Sequence, residues 1–229
     1  MAASDGAGGT RRSLRSKAPA QAKVVEAANA LAASDFFAKY DNDKPTTPSA
    51  SLLDSFSDLQ LQRCQADASH LPPPLFEQCL KLIEQTSAED YQNSEVKWSL
   101  PKKRKEMRLP DMRYIVLVES KTSRLAGFIS FMITYEDGFE VVYIYEIHFA
   151  PEWQGQGLGK KLMQIVEAIG QNVGVTKAML TVFKTNTRAV NWYYRLGYRE
   201  DEFSPGPRRL RNGTIKEPSH IILSKRLND

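Results

Sequence analysis

Gln154-Gly155-Gln156-Gly157-Leu158-Gly159 lies between an apolar-rich run, Val141 to Phe149, and an amphipathic run, Lys160 to Ile169. Its glycines mark a tight turn, because glycine reaches positive φ without a Cβ clash. A glycine-dense turn leading from a strand into a helix also exposes backbone N–H groups at the positive end of the helix dipole. That arrangement is a cradle for a pyrophosphate. By itself the stretch suits a bare turn and a phosphate cradle equally, so its surroundings decide.

Upstream, three strands are predicted, at Tyr114 to Glu119, Ala126 to Tyr135 and Val141 to Phe149. Hairpin signals separate them at Ser120 to Arg124 and at Glu136-Asp137-Gly138. An earlier strand is expected around Leu59, Leu61 and Arg63. Pro72 to Pro74 then open a helix whose Phe76, Cys79, Leu80 and Ile83 fall at helical spacing. Ser99-Leu100-Pro101 starts another helix. Downstream come a short strand, Ala178 to Val182, a helix, Asn186 to Leu196, stopped by Gly197, and a last strand, His220 to Lys225, after the loop Ser204 to Pro218. This order predicts an α+β fold, a mixed and mostly antiparallel sheet flanked by helices, not a repeating βαβ array. Three parts are expected: a disordered basic tail (1–20), a helix that can form over Gln21 to Tyr40 with a linker (21–58), and the main domain (59–229).

The chain has 229 residues, 41% hydrophobic, with a formal net charge of +4. This leaves ample apolar material for a core, and the mild positive charge suits a polyanionic ligand. Two cysteines, Cys64 and Cys79, form neither a disulfide framework nor a zinc motif. His70, His148 and His220 are too scattered for a metal cluster. No apolar run reaches a membrane span and no signal-peptide segment precedes the domain, so a soluble intracellular protein is expected; a monomer is expected as well. The glycine spacing G-x-G-x-G is not the dinucleotide fingerprint G-x-G-x-x-G, and no acidic residue occurs between Ala168 and Arg199 to bind a ribose. A Walker loop is excluded because Gly-Lys-Ser/Thr is absent at the required place.

Gln154-x-x-Gly157-x-Gly159 after a strand resembles the acetyl-CoA signature of the GNAT acetyltransferases. Asn186, Ala189, Tyr193, Gly197 and Tyr198 match the N-x-x-A-x-x-x-Y-x-x-x-G-F/Y pattern that follows it in that family. Within the superfamily, Tyr91-Gln92-Asn93-Ser94-Glu95, Trp98, Tyr143-Ile144-Tyr145-Glu146 and Met179-Leu180-Thr181-Val182-Phe183-Lys184 resemble the histone-directed N-terminal acetyltransferases of the NatD type. The likeness runs from about Leu59 to Leu227. It implies a GNAT fold, acetyl-CoA as cosubstrate and transfer to the N-terminal serine amine of histone H4 and histone H2-A. The fallback readings are a GNAT lysine Nε-acetyltransferase and a catalytically weak CoA- or chromatin-binding module.

By that resemblance, the loop amides of Gln154, Gly155, Gln156, Gly157, Leu158 and Gly159 hold the pyrophosphate. Ile147, His148 and Phe149 offer backbone groups to the pantetheine arm and an oxyanion donor, while Thr181 and Asn186 line the cofactor site. Residue type alone also allows Thr181 as a plain strand residue and Asn186 as a helix N-cap. Glu146 and Glu136 are the candidate bases, Tyr145 packs on the substrate's first residue, and Tyr193 stands where many relatives keep a thiolate-protonating tyrosine. Tyr145 and Glu146 are adjacent, so a regular strand points them to opposite faces; only a bulge or splay brings both to one site. Tyr91, Thr134, Tyr135, Glu136, Tyr145 and His220 are the expected peptide contacts. Thr134 replaces an aspartate and His220 a tyrosine of the family pattern.

An α-amine has a pKa near 7.7–8.0 against about 10.4 for lysine. Near pH 7.5 a lysine acceptor therefore needs roughly 3 kcal/mol more for the same neutral population. The tetrad Lys102 to Lys105 reads equally as a nuclear import signal and as a solvated basic helix face, and location in nucleus and cytoplasm is expected. Without aromatic interleaving or a reading module, sequence-specific nucleic-acid binding is not expected, nor is a metal.

Overall fold

Asp137 and Gly138, both at positive φ (49° and 86°), form the two-residue loop of a tight hairpin whose flanking residues, Glu136 and Phe139, pair directly. That primed turn matches the right-handed twist of the strands it joins. The computed structural model describes residues 23–41, 56, 59–209 and 211–227. The expected basic tail, and nearly all of the expected linker beyond Asp41, lie outside these. In chain order the elements are α1 (Val24–Asn29), α2 (Ala33–Tyr40), β1 (Leu61–Asp67), α3 (Pro73–Gln92), α4 (Leu100–Glu106), β2 (Arg113–Glu119), β3 (Leu125–Glu136) and β4 (Phe139–Phe149). They continue with a 3-10 turn (Pro151–Trp153), α5 (Leu158–Val173), β5 (Lys177–Phe183), α6 (Thr187–Arg195), β6 (Arg199–Glu200), β7 (Arg208–Arg209), β8 (Ile215–Lys216) and β9 (His220–Arg226).

The main sheet has seven strands in the order β1-β2-β3-β4-β5-β9-β6. All neighbours are antiparallel except β4 and β5, so the expected α+β arrangement is the one observed. One face carries Ile129, Ile133, Val142, Leu180 and Leu223 against the apolar sides of α1, α2, α5 and α6. The other carries Val116, Val118 and Phe128 against Phe76, Leu80 and Ile83 of α3 and Met107 beside α4. Burying both faces under helices is what lets the central strands read as nearly unbroken apolar runs.

Two departures from the sequence reading have clear causes. The helix expected over Gln21 to Tyr40 is two helices, broken at Ala30 to Ala32. Buried Arg113 of β2 donates to the Ala28 carbonyl at 3.0 Å and to the Asn29 side chain at 3.0 Å, and stacks 3.8 Å over the Phe36 ring. A guanidinium that takes the Ala28 carbonyl and the Asn29 side chain closes the end of α1, and Asn29 in turn donates to the Ile133 carbonyl at 2.9 Å. The loop Ser204 to Pro218 also contains structure, a small β7–β8 hairpin outside the main sheet.

Candidate active site

The parallel pairing of β4 and β5 ends at Ile144 and Leu180. Beyond it β4 continues with β3 and β5 continues with β9, so the two strands diverge and open a gap in the sheet. The β3–β4 ladder shifts register at the same point. Ser130 pairs with Glu146 and Phe131 with Ile144, leaving Tyr145 as the extra residue of a bulge. A bulge resets the side-chain alternation. Ile144 and Ile147 therefore pack on the α5 side, while Tyr145 packs on the α3 side and Glu146 meets side chains of α4 and β4. Two neighbours that a regular strand would separate both reach the same cavity.

That cavity holds about 990 Å³ and runs from the glycine loop to the α3–α4 side of the gap. Gly155 and Gly157 sit at φ of 76° and 79°, and a Cβ added to either meets no protein atom within 4 Å. The backbone N–H groups of Gly155 to Lys160 have no protein acceptor among the described residues, and Gly157 caps α5 without a side-chain bond. Open donors at a helix start, with Lys160, Arg188 and Arg195 on the lining, fit a polyphosphate. The loop's own side chains do other work. Gln154 donates to the Phe149 carbonyl at 3.0 Å and Gln156 to the Glu152 carbonyl at 2.8 Å, fastening the loop to the strand end. Gly159 lies against Trp192, where a Cβ would stand 3.1 Å from the indole.

At the other end is a buried polar cluster. Lys103 of α4, its side chain 4% exposed, donates to Glu146 Oε1 at 2.8 Å, Glu106 Oε1 at 2.6 Å and the Tyr91 hydroxyl at 2.6 Å. His148 Nε2 lies 2.6 Å from Glu146 Oε2, and its Nδ1 lies 2.7 Å from Thr86 Oγ1 of α3. The two carboxylates share one ammonium but respond oppositely. Burial alone would raise Glu146, yet Lys103 and His148 outweigh it and hold the carboxyl down to about 2. Glu106, half-buried and paired with Lys103, is raised by partial burial, helped by the charge of Glu146. Burial, with Glu146 adding to it, pushes the Tyr91 phenol up to about 12. The Tyr193 hydroxyl, raised well above the ordinary range by burial, finds no hydrogen-bond partner among the described residues.

Of the expected site residues, the cavity brings together Tyr91, Tyr145, Glu146, Ile147, His148, Phe149, Gln154, Gly155, Gly157, Leu158, Gly159, Thr181, Asn186 and Tyr193. Asn186 also caps α6, accepting from the Ala189 N–H at 3.1 Å. Thr181 Oγ1 meets the Tyr143 hydroxyl at 2.5 Å. Gln156, Thr134, Tyr135, Glu136 and His220 are not on the lining. Exposed Tyr135 donates to Glu26 of α1 at 2.9 Å. Glu136, raised by partial burial and by Asp137, sits at the hairpin end but is near enough for its charge to act on Tyr143 and Tyr145. His220 pairs with Phe183, whose ring packs 4.8 Å from Tyr91.

Sequence reasoning missed Thr86, Lys103, Glu106 and Tyr143. Lys103 had a readable signal: Leu100 and Met107, three before and four after, place it on the buried stripe of its helix. Tyr143, two before Tyr145, shares its side by strand alternation. Thr86 carried no signal. The basic tetrad is not a uniformly solvated face, because Lys103 is interior and Arg104 pairs with Glu77. No helix of the described residues is long and apolar enough to cross a membrane, and no group among them could hold a metal ion.

A sheet split between β4 and β5, with open amides at the start of the next helix, forms a binding cleft for a ligand that carries a polyphosphate. The family model described as "Acetyltransferase (GNAT) family" matches residues 77–198, and the chain belongs to that family. Its cosubstrate is acetyl-CoA, and the cradle and cationic rim fit that group. The chain is similar to N-alpha-acetyltransferase 40 of Saccharomyces cerevisiae, 29% identical over 167 residues, covering 62% of this chain and 56% of the yeast protein. It is also similar to thialysine N-epsilon-acetyltransferase of Mus musculus, 35% identical over 65 residues, covering 28% of this chain and 38% of that one. The chain therefore spans 56% of the yeast relative's length and 38% of the mouse relative's. Among solved structures, the PaiA N-acetyltransferase of Thermoplasma acidophilum in complex with coenzyme A superposes with a TM-score of 0.52 at 18% identity, covering 72% of this chain and 98% of that one. A GNAT-family acetyltransferase of Staphylococcus aureus Mu50 gives 0.54 at 10%, covering 73% and 99%. These two share the fold.

Proposed function

We propose that this acetyltransferase acts on the α-amine of an N-terminal serine, with histone H4 and histone H2-A tails as acceptors, as a monomer meeting them in nucleus and cytoplasm. The observation that carries the reading is the engagement of both Glu146 oxygens, one by Lys103 and the other by His148. A carboxyl held down to about 2 is a weak base, which favours an acceptor already partly neutral near pH 7.5. An α-amine meets that condition and a lysine does not. The name of the yeast relative, an N-alpha-acetyltransferase, agrees with it. Tyr91, Tyr143 and Tyr145 offer aromatic walls on the acceptor side of the cavity, suited to a small first residue.

Bound acetyl-CoA supplies the activated acetyl group. The chain's own residues hold its phosphates at Gly155 to Lys160, wall the acceptor end and keep one face of Glu146 ionised beside it. The second reading, transfer to a lysine-type ε-amine, draws support from the name of the mouse relative. Incubation with acetyl-CoA and a Ser-Gly-Arg-Gly peptide, free or N-terminally blocked, separates the two. Acetylation of the free peptide at its α-amine is expected. Transfer confined to lysines of a blocked histone peptide overturns the proposal, and CoA binding without turnover points to a binding module.

A further inference from the structure

Neither expected base fits the removal of the acceptor's proton. Glu146 is engaged at both oxygens, by Lys103 at 2.8 Å and by His148 at 2.6 Å, and Glu136 is off the cavity lining. His148 has the required geometry. Its ring is held at both nitrogens, by Glu146 Oε2 at 2.6 Å and by Thr86 Oγ1 at 2.7 Å, and both His148 and Thr86 line the cavity. Thr86 Oγ1 also lies 2.8 Å from the Leu82 carbonyl, so its hydroxyl has two alternative acceptors. Glu146 is acceptor-only, so Nε2 carries a hydrogen toward it. Nδ1 is then the nitrogen free to gain or lose a proton. With His148 neutral, Thr86 donates to Nδ1. With His148 protonated, Nδ1–H donates to Thr86, and Thr86 donates to Leu82. Both arrangements satisfy every donor with the same heavy-atom positions. Glu146 of β4 is the charged group in contact with the imidazole, and Lys103, Glu106, Tyr91, Tyr143, Tyr145 and Tyr193 line the same cavity.

We infer that His148 is the proton-accepting residue of this site, taking the proton of the acceptor amine at Nδ1 through the Thr86 hydroxyl while Glu146 holds Nε2. The inference rests on the α-amine reading above. The ammonium passes a proton to the Thr86 oxygen, directly or across one water, and the original Thr86 hydrogen passes to Nδ1. The amine becomes neutral, His148 becomes cationic and Thr86 again carries one hydrogen, now turned to Leu82. Acetylation of the amine releases a second proton, which balances the departing thiolate. Imidazole is the side chain suited to such exchange near neutrality, and a carboxylate-oriented imidazole is a recurrent way to hold a base.

His148→Gln, which keeps a donor for Glu146, and Thr86→Val are tested with the Ser-Gly-Arg-Gly peptide from pH 6.5 to 9.5. At pH 6.5 only about one α-amine in 25 is neutral, so each variant should lose on the order of 10-fold in kcat there. At pH 9.5, where the amine needs no base, each should lie within about 3-fold of wild type, with acetyl-CoA affinity unchanged throughout. A loss of equal size at every pH, or none, overturns the inference. Imidazole nitrogen NMR of the wild-type protein gives a readout independent of turnover. Nε2 should stay protonated across the titration while Nδ1 alone gains a hydrogen as pH falls; the opposite tautomer overturns the inference. If the wild type leaves the peptide unmodified at every pH, the α-amine reading fails, and the NMR result still decides the role of His148.

Discussion

Replacing Lys103 by Met removes the ammonium shared by Glu146, Glu106 and the Tyr91 hydroxyl. Glu146 is held from 4.5 to about 2, so its ion pair contributes on the order of 3 kcal/mol at neutral pH, at about 1.4 kcal/mol per unit. Because the folded value is the lower one, that contribution is complete above pH 4.5 and fades as pH falls toward 2. Lys103→Met leaves a buried carboxylate with His148 as its remaining partner, and breaking one side of a buried pair costs about 3–5 kcal/mol. For a domain of this size, that lowers Tm by about 6–20 °C. The sign of the pH dependence also turns. Without Lys103, burial raises the Glu146 carboxyl, so folding takes up a proton. The variant should then gain on wild type as pH is lowered from 7 to 5. Urea unfolding at both pH values, alongside Lys103→Met/Glu146→Gln, measures this. The double variant removes the stranded charge and should recover at least half of the loss. A single variant within about 1 kcal/mol of wild type at pH 7, or a double variant no more stable than the single, refutes the electrostatic account.

Gly157→Ala forces a Cβ into φ of 79°, a strain of roughly 1–2 kcal/mol. The added methyl meets no protein atom, so acetyl-CoA affinity measured by calorimetry should fall about 10-fold while the fold survives. Glu136→Gln should raise KM several-fold for a cationic peptide and leave kcat within about 2-fold, because Glu136 acts on the cavity only through its field; steady-state kinetics check the split, and a parallel fall in kcat contradicts it. Tyr193→Phe should change kcat by less than about 3-fold, since a phenol raised so far by burial is a poor acid for a thiolate with an ordinary pKa near 8.5. A hundredfold loss in single-turnover assays would restore Tyr193 as the proton donor.

Much of the fold was legible because its signals are local. Asp137-Gly138 fixes a two-residue hairpin, and Gly155 and Gly157 fix the turn into α5. Pro73 and Pro74 open α3, and the apolar runs of β2 to β4 follow from burial on both faces. The break between α1 and α2 was not legible, because its cause, Arg113, lies 85 residues away from the carbonyl that it takes. Nor was the side of the sheet that Glu146 faces. Strand alternation separates it from Tyr145, and the bulge that reverses this arises in the pairing with β3, where residue types give no sign of it.

The sequence by itself determined the class of the protein and its cofactor end. A phosphate cradle is built from consecutive backbone amides, so Gln154 to Gly159 and the pattern from Asn186 to Tyr198 suffice to recognise it. The tertiary structure alone decided the acceptor end. Lys103 and Glu146 are 43 residues apart, and Thr86 and His148 are 62 apart. The order of the strands, the packing of α3 and α4 on one face and a one-residue bulge bring them together. Local patterns encode which way a side chain points within its own element. What it meets there depends on how whole elements dock, and that docking turned a basic tetrad's second lysine into the centre of a buried charge cluster.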